Sequence, residues 1–144
     1  MLTLCYCEEP ASKGAVVPHD IPDLPWYALA MDIMEFQGMS YLVVVDCMSH
    51  YPELRQMKGK TANHVVMALK SIFEVHGVHM SVFANNLPFS SQQMLTFAKH
   101  WGFTIKTISP HDHKSNGLAE RYVQIVKQFM KNVNHLGRTY TGHF

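Results

Sequence analysis

Residues 26–57, WYALAMDIMEFQGMSYLVVVDCMSHYPELRQM, decide the fold of this chain. Residues 26–36 alternate loosely between apolar and polar side chains, and residues 41–48 include the longest apolar run in the sequence. Such patterns are typical of β-strands, the second of them apolar enough to be central in a sheet. With residues 51–57 as a third strand and a turn at 37–40, the segment predicts a three-stranded meander.

The hydrophobic period changes after residue 57, where apolar residues begin to recur at helical spacing. The elements predicted beyond this point are a helix between the N-cap Thr61 and Gly77, a strand over 78–84, a helix from Ser90 to Gly102 with a Ser90–Gln93 capping box, a strand over 103–108 and a helix from Gly117 to about Leu136. The order βββ-α-β-α-β-α predicts an α/β fold, a mixed five-stranded sheet with helices on both faces.

The last predicted helix carries two different stripes of side chains. We expect its apolar stripe to face the core; it comprises Leu118, Tyr122, Ile125, Phe129, Val133 and Leu136. Its polar stripe comprises Glu120, Gln124, Lys127 and Lys131. The polar segment 111–117 leads into the helix N-terminus, which attracts anions such as phosphates. The polar stripe is therefore either an ordinary solvated face or a phosphate-binding surface.

Three carboxylates lie within or near the predicted strands. Asp32 lies in the middle of the first strand, where a charge is costly unless it is paired or bound to a metal ion. Glu35 is one position off the alternation of Asp32, so we expect it on the opposite face, and Asp46 lies near the end of the second strand. Taken singly, each of them can also be a paired structural acid.

The composition indicates a soluble globular chain with a reducing environment. The 144 residues fit one domain, and a formal net charge of +1 means that any nucleic-acid binding must come from the distribution of charge. The sequence shows neither a signal peptide nor an apolar run long enough for a bilayer, which favours an intracellular protein, nuclear or cytoplasmic. The three cysteines, Cys5, Cys7 and Cys47, predict no disulfide framework and no zinc site.

Five colinear stretches carry a resemblance to a known family. They are Pro25–Asp32, Tyr41–Glu53, Leu69–Gly77, Phe97–Phe103 and Ser115–Arg121. In this order and spacing, over roughly residues 20 to 135, they resemble the integrase catalytic core of gypsy-type LTR retrotransposons and, more distantly, retroviral integrases. The resemblance implies an RNase H-like fold.

The resemblance also implies a catalytic site. That family holds two Mg²⁺ or Mn²⁺ ions with an Asp, Asp, Glu triad, and the ions activate a nucleophile for displacement at phosphorus. Asp32 matches the first acid and Glu120 the third, whereas the segment 83–90, FANNLPFS, has no acid. The local motif places Asn85 at the second position, and the ungapped spacing places Ala84 there. We prefer Asn85, because the local motif fits better and Asn is nearly isosteric with Asp. With either residue, we expect metal binding at Asp32 and Glu120 to be weak or absent.

The resemblance implies nucleic acid as the partner, DNA first and RNA as the alternative. The residues expected to contact phosphates are Lys114, Asn116, Arg121, Gln124, Lys127 and Lys131. The domain organisation we expect is an extended lead-in over 1–25 with a remnant of an upstream Cys module, a core over 26–136 and a divergent tail over 137–144. Because the family continues with further helices that contribute to its dimer interface, we expect a weakened homodimer.

Three functions remain open from the sequence. The first is a catalytically impaired integrase-like domain that still binds a nucleic-acid backbone, and the loss of the second acid favours it. The second is an active metal-dependent polynucleotidyl transferase or nuclease. The third is a transposon relic or protein-interaction module without a nucleic-acid role.

Overall fold

The computed structural model describes residues 25–78, 81–85, 87–107 and 117–136. Its elements are β1 (Ala28–Phe36), β2 (Met39–Asp46), β3 (Pro52–Met57), α1 (Ala62–His76), β4 (Ser81–Ala84), α2 (Gln92–Trp101), β5 (Thr104–Thr107) and α3 (Gly117–His135). This confirms the predicted order of strands and helices. Among the described residues, the helices are all too short or too polar to cross a bilayer. The predicted tail, and the lead-in up to residue 24, lie outside the described residues.

The five strands form one mixed sheet in the order β3-β2-β1-β4-β5. β1 pairs antiparallel with β2 and parallel with β4, while β2–β3 is antiparallel and β4–β5 is parallel. Gln37 and Gly38 make the β1–β2 turn with φ of 50° and 76°, since Phe36 and Met39 are already paired. Positive φ at both central residues matches the twist of a tight hairpin. The predicted α/β fold is confirmed.

Alternation along β1 divides the core into two layers. Leu29 and Met31 pack with α1 and α2, in what we call the α1/α2 core. Ala28, Ala30 and Met34 pack on the other face with α3, in what we call the α3 core. Successive side chains of a strand point to opposite faces, so a strand in the middle of the sheet must supply both layers. The prediction of helices on both faces is confirmed.

The ends of α1 and α2 follow the glycine signals but not all of the capping signals. Gly77 and Gly102 end their helices with φ of 87° and 80°. The predicted capping box from Ser90 to Gln93 is wrong, because Ser91 is the N-cap of α2 and its side chain accepts a hydrogen bond from Met94 N at 3.4 Å. A helix that begins one residue later turns Met94 into the core, where it is fully buried.

The buried side of α3 differs from the predicted apolar stripe. The residues that face the sheet are Leu118, Ala119, Val123, Val126 and Met130. The predicted stripe was wrong for Ile125, Phe129 and Leu136, which are 49%, 43% and 76% exposed. α3 carries two adjacent apolar stripes, and the buried one contains the smaller residues. On its other side, the buried stripe lies directly beside the polar stripe of α3.

Asp46 is a structural acid of the β2–β3 turn. It is fully buried, and its carboxylate accepts hydrogen bonds from Trp26 N at 3.1 Å, Met48 N at 3.3 Å, Ser49 N at 3.1 Å and Ser49 Oγ at 2.6 Å. These donors replace the water that a buried carboxylate loses. These contacts favour the interpretation of Asp46 as a paired structural acid.

Cys47 lies directly after β2 and is 3% exposed. It is disulfide-bonded, and the cysteine spacing in the sequence did not indicate this bond. The spacing of three cysteines along a chain does not reveal which thiols the fold brings within bonding distance, since a disulfide depends on the separation of the two residues in space.

Replacing the α2 N-cap distinguishes the observed helix start from the predicted one. Ser91→Ala removes the side-chain acceptor of Met94 N and should lower the free energy of unfolding by about 1 kcal/mol. Ser90→Ala removes no capping bond and should change it by less than about 0.5 kcal/mol. Urea unfolding of both variants measures this, and a larger loss for Ser90→Ala would contradict the observed cap.

Candidate functional site

Asp32 lies in the middle of β1 on the face that α3 covers. Its neighbours along the strand on that face, Ala30 and Met34, both belong to the α3 core, and Asp32 pairs with Val43 of β2. The carboxylate is half-buried, and its Oδ1 atom accepts a hydrogen bond from Ile33 N at 2.8 Å. A charged group is thus built into the central strand of the sheet.

The pKa of Asp32 is raised above its ordinary value of 3.8. Burial is the largest cause, because it disfavours the charged form; the hydrogen bond from Ile33 N acts in the opposite direction. The negative charge of Glu120 raises this pKa further, and the positive charge of Lys127 lowers it. The structure therefore brings Glu120 and Lys127 within electrostatic reach of Asp32.

The first turns of α3 supply the other charged groups. Glu120 is in the first turn and is exposed, and Lys127 lies two turns further along the same stripe and is half-buried. Arg121, Gln124 and Lys131 are exposed along this part of the helix. Lys114 and Asn116, which the sequence also indicated as phosphate contacts, lie outside the described residues. Glu120, Gln124, Lys127 and Lys131 thus lie beside the buried residues of α3, along one side of the helix.

Asn85 follows the last residue of β4. The register of β1 and β4 ends with the pair Met31 and Ala84, so the next position on each strand is Asp32 and Asn85. Ala84 is fully buried in the α1/α2 core, on the opposite face from Asp32. Phe83 belongs to the α3 core, so alternation directs position 85 to the α3 face as well. This geometry favours Asn85 over Ala84 as the neighbour of Asp32.

Two other acids lie apart from this arrangement. Glu35 is exposed and forms an ion pair with Lys60 at 2.5 Å. Glu53 is buried in β3, where its carboxylate accepts from Arg55 Nη1 at 2.6 Å and contacts His76 Nε2 at 2.7 Å. No local pattern in the sequence indicates this cluster, because Glu53 and His76 are 23 residues apart. His76 is the last residue of α1, and Glu53 lies in β3. It ties β3 to α1 and is a structural group.

The donor set around Asp32 does not fit a two-metal centre. Two carboxylates and one amide oxygen supply two negative charges, whereas two divalent ions carry four positive ones. Within the described part of the chain, His, Cys, Asp and Glu side chains form no group of three that could hold a metal ion. The possible ligands are therefore the carboxylates of Asp32 and Glu120 and, at position 85, the amide oxygen of Asn85.

The fold is that of retroviral integrase catalytic cores. The catalytic core domain of BIV integrase is 21% identical with a TM-score of 0.66, over 76% of this chain and 72% of that one. The HTLV-2 integrase catalytic core domain in complex with magnesium is 21% identical with a TM-score of 0.62, over 76% and 73%. A chain of the simian T-cell lymphotropic virus intasome is 20% identical with a TM-score of 0.76, over 95% and 51%.

Two sequence relatives match most of the length of this chain. An uncharacterized protein of Caenorhabditis elegans is 27% identical over 91% of this chain, and the Gag-Pro-Pol polyprotein of mouse mammary tumor virus is 24% identical over 85%. The chain spans only 11% and 7% of the lengths of these two relatives. No protein-family profile matches the chain. The resemblance drawn from the sequence motifs is confirmed by these structural neighbours and relatives.

The raised pKa of Asp32 predicts a pH-dependent loss of stability. Between the unfolded value of 3.8 and the higher folded value, the native state binds more protons than the unfolded state. Stability in chelator-treated buffer should therefore fall as pH rises through this window, and Asp32→Asn should reduce the fall. Urea unfolding at a series of pH values measures both proteins, with Glu35→Gln as the control on the same strand. Equal pH profiles for wild type and Asp32→Asn would contradict the electrostatic account.

Proposed function

We propose that this chain is an integrase catalytic-core-like domain that binds a nucleic-acid backbone and is impaired in catalysis. The observation that supports the proposal is that the charges of Glu120 and Lys127 act on Asp32, on the α3 face of a sheet with the integrase-core fold, while Asn85 follows the strand beside Asp32. The acids match the first and third positions of the triad that the sequence resemblance implies. The second position then holds an amide.

The impairment follows from charge. In the chemistry implied by the resemblance, two divalent ions activate a nucleophile and stabilise displacement at phosphorus. The oxygen of Asn85 is neutral, so it can neither bridge two cations as a carboxylate does nor balance their charge. Burial already disfavours the ionised form of Asp32, and Glu120 adds repulsion. The site can bind one Mg²⁺ or Mn²⁺ weakly, and strand transfer is lost.

Nucleic-acid binding rests on the polar side of α3. Gln124, Lys127 and Lys131 lie along one side of the helix, and Arg121 is adjacent to Glu120. Cations of this kind contact phosphates without reading sequence, and their contribution depends strongly on salt. The partner we propose is DNA, with RNA as the second polyanion that the same contacts accept.

A second candidate function is a protein-interaction module without a nucleic-acid role. The observation that favours it is the exposed apolar stripe of α3, since Ile125, Phe129 and Leu136 are all at least two-fifths exposed on one side of the helix. Apolar patches of this kind mark interaction surfaces in soluble proteins. DNA-binding measurements separate the two candidates, because an interaction module has no affinity for DNA at low salt.

An acid restored at position 85 should recover metal binding. Asn85→Asp places a third carboxylate next to Asp32 and should tighten Mn²⁺ binding by at least about tenfold, or ~1.4 kcal/mol. Ala84→Asp is the matched control: it buries a charge in the α1/α2 core and should cost about 3 kcal/mol or more of stability without tightening Mn²⁺. Isothermal titration calorimetry and urea unfolding measure the two effects. Tighter Mn²⁺ binding by Ala84→Asp alone would reverse the assignment of position 85.

Removal of a lysine from α3 should make DNA binding less sensitive to salt. Lys131→Ala and Lys127→Ala should each flatten the slope of log affinity against log salt by about one unit. Lys131 is exposed, so its loss should change stability by no more than about 0.5 kcal/mol. Lys99→Ala, an exposed lysine of α2 on the opposite layer, should leave the slope unchanged. Absence of DNA affinity at low salt would show that the polar stripe is an ordinary solvated face.

A further inference from the structure

Asn85 differs from the other described asparagines in its backbone setting. It follows β4 and belongs to neither a helix nor a strand. The other three, Asn63, Asn132 and Asn134, lie within α1 and α3. The side chain of Asn85 is half-buried, and it makes no hydrogen bond with the part of the chain that the structure describes.

An asparagine outside regular structure loses its amide nitrogen without an enzyme. The backbone nitrogen of the next residue attacks the side-chain carbonyl carbon, ammonia leaves, and a five-membered succinimide ring forms. Water then opens the ring at either of its carbonyls, which gives aspartate or isoaspartate. The net reaction consumes water, releases ammonia and turns a neutral amide into a carboxylate. A helix opposes the ring closure, because it fixes the backbone dihedral angles and keeps the next nitrogen away from the side-chain carbonyl.

The residue that follows each asparagine also affects ring closure. Asn85 is followed by Asn86, which is unbranched at Cβ, so its side chain crowds the attacking nitrogen little. Asn63 and Asn134 are each followed by a histidine, which is likewise unbranched at Cβ, whereas Asn132 precedes the β-branched Val133. Asn63 and Asn134 therefore differ from Asn85 mainly in being helical, and they are its matched comparisons.

The product of this reaction at position 85 is the acid that the site lacks. The parallel register of β1 and β4 ends at Met31 and Ala84, so position 85 follows beside Asp32. Alternation directs it to the α3 face, because Phe83 belongs to the α3 core. Loss of ammonia at this position adds a negative charge next to Asp32, and carboxylates are the ligands that hard divalent cations prefer.

We propose that Asn85 is a site of spontaneous deamidation, and that the reaction adds the missing carboxylate to the site of Asp32 and Glu120. The inference rests on the proposed function, from which it takes the role of position 85. It adds that the newly made chain and the aged chain differ in their affinity for divalent cations. The amide is then the first state of this position, and the carboxylate is the second.

The reaction is tested on the wild-type protein, so no variant has to fold. Folded protein is incubated in heavy-oxygen water at mildly alkaline pH, and peptide mapping by mass spectrometry locates the new oxygen, with fragment ions that separate positions 85 and 86. Because a helix must open locally before the ring closes, Asn63 and Asn134 should be labelled at least about tenfold more slowly than Asn85. In urea-unfolded protein this difference should disappear.

The consequence is tested by calorimetry with Mn²⁺. Wild type aged until position 85 is converted should bind Mn²⁺ at least about tenfold more tightly than fresh protein, as Asn85→Asp should. Asn85→Gln is the control, because glutamine must close a larger ring and reacts far more slowly. Aged in the same way, it should keep the affinity of fresh protein. It also accounts for reactions at other asparagines, including Asn116, which precedes a glycine.

The outcomes separate this inference from the proposed function. Equal labelling of Asn85 and the helical asparagines in folded protein, or label at position 86 alone, would overturn the inference. So would a gain of Mn²⁺ affinity in aged Asn85→Gln, or its absence in aged wild type while Asn85→Asp shows it. In each of these cases the proposed function stands. If neither aged wild type nor Asn85→Asp binds Mn²⁺ more tightly, position 85 does not complete the site and both are wrong.

Discussion

β1 is hydrogen-bonded along both edges, to β2 and β4, and is covered by helices on both faces. Each of its side chains must therefore enter one of two cores, and a shift of the register by one residue would exchange them. This constraint places Asp32 under α3 and directs position 85 to the same side. It also places Ala84 among the residues that pack with α1 and α2.

Burial of a charged carboxylate in such a strand is energetically unfavourable, and the neighbouring groups compensate for it only in part. Burial and Glu120 raise the pKa of Asp32, while Ile33 N and Lys127 lower it. Asp46 and Glu53 are more deeply buried, yet each accepts several hydrogen bonds or ion-pair contacts at short range. The contrast separates structural acids from an acid held close to a second carboxylate. A pKa that is raised by burial and by a neighbouring like charge is typical of functional sites.

Much of the fold could be predicted from local patterns in the sequence. The meander follows from the alternation in residues 26–57, and Gly77 and Gly102 end helices because they tolerate positive φ. The start of α2 could not be placed, since Ser90 and Ser91 are equally good caps and the burial of Met94 decides between them. The buried side of α3 could not be predicted either, because two adjacent stripes are apolar and only contact with the sheet selects one.

The candidate site was less predictable than the fold. The motif resemblance indicates Asp32 and Glu120 and favours Asn85 over Ala84, and the parallel register of β1 and β4 supports this preference. Pairings between distant segments are set by tertiary packing, which local periodicity does not encode.

The most direct test of this account is a double-mutant cycle between Asp32 and Glu120. Urea unfolding would compare wild type, Asp32→Asn, Glu120→Gln and the double variant in mildly alkaline, low-salt, chelator-treated buffer, at a pH well above the ordinary pKa of a carboxyl group. Either substitution alone removes the repulsion between the two acids, so the double variant should be less stable than the sum of the single effects predicts, and added salt should reduce this difference. Effects that add within about 0.5 kcal/mol at low salt would show that the two carboxylates do not repel each other, which contradicts the account.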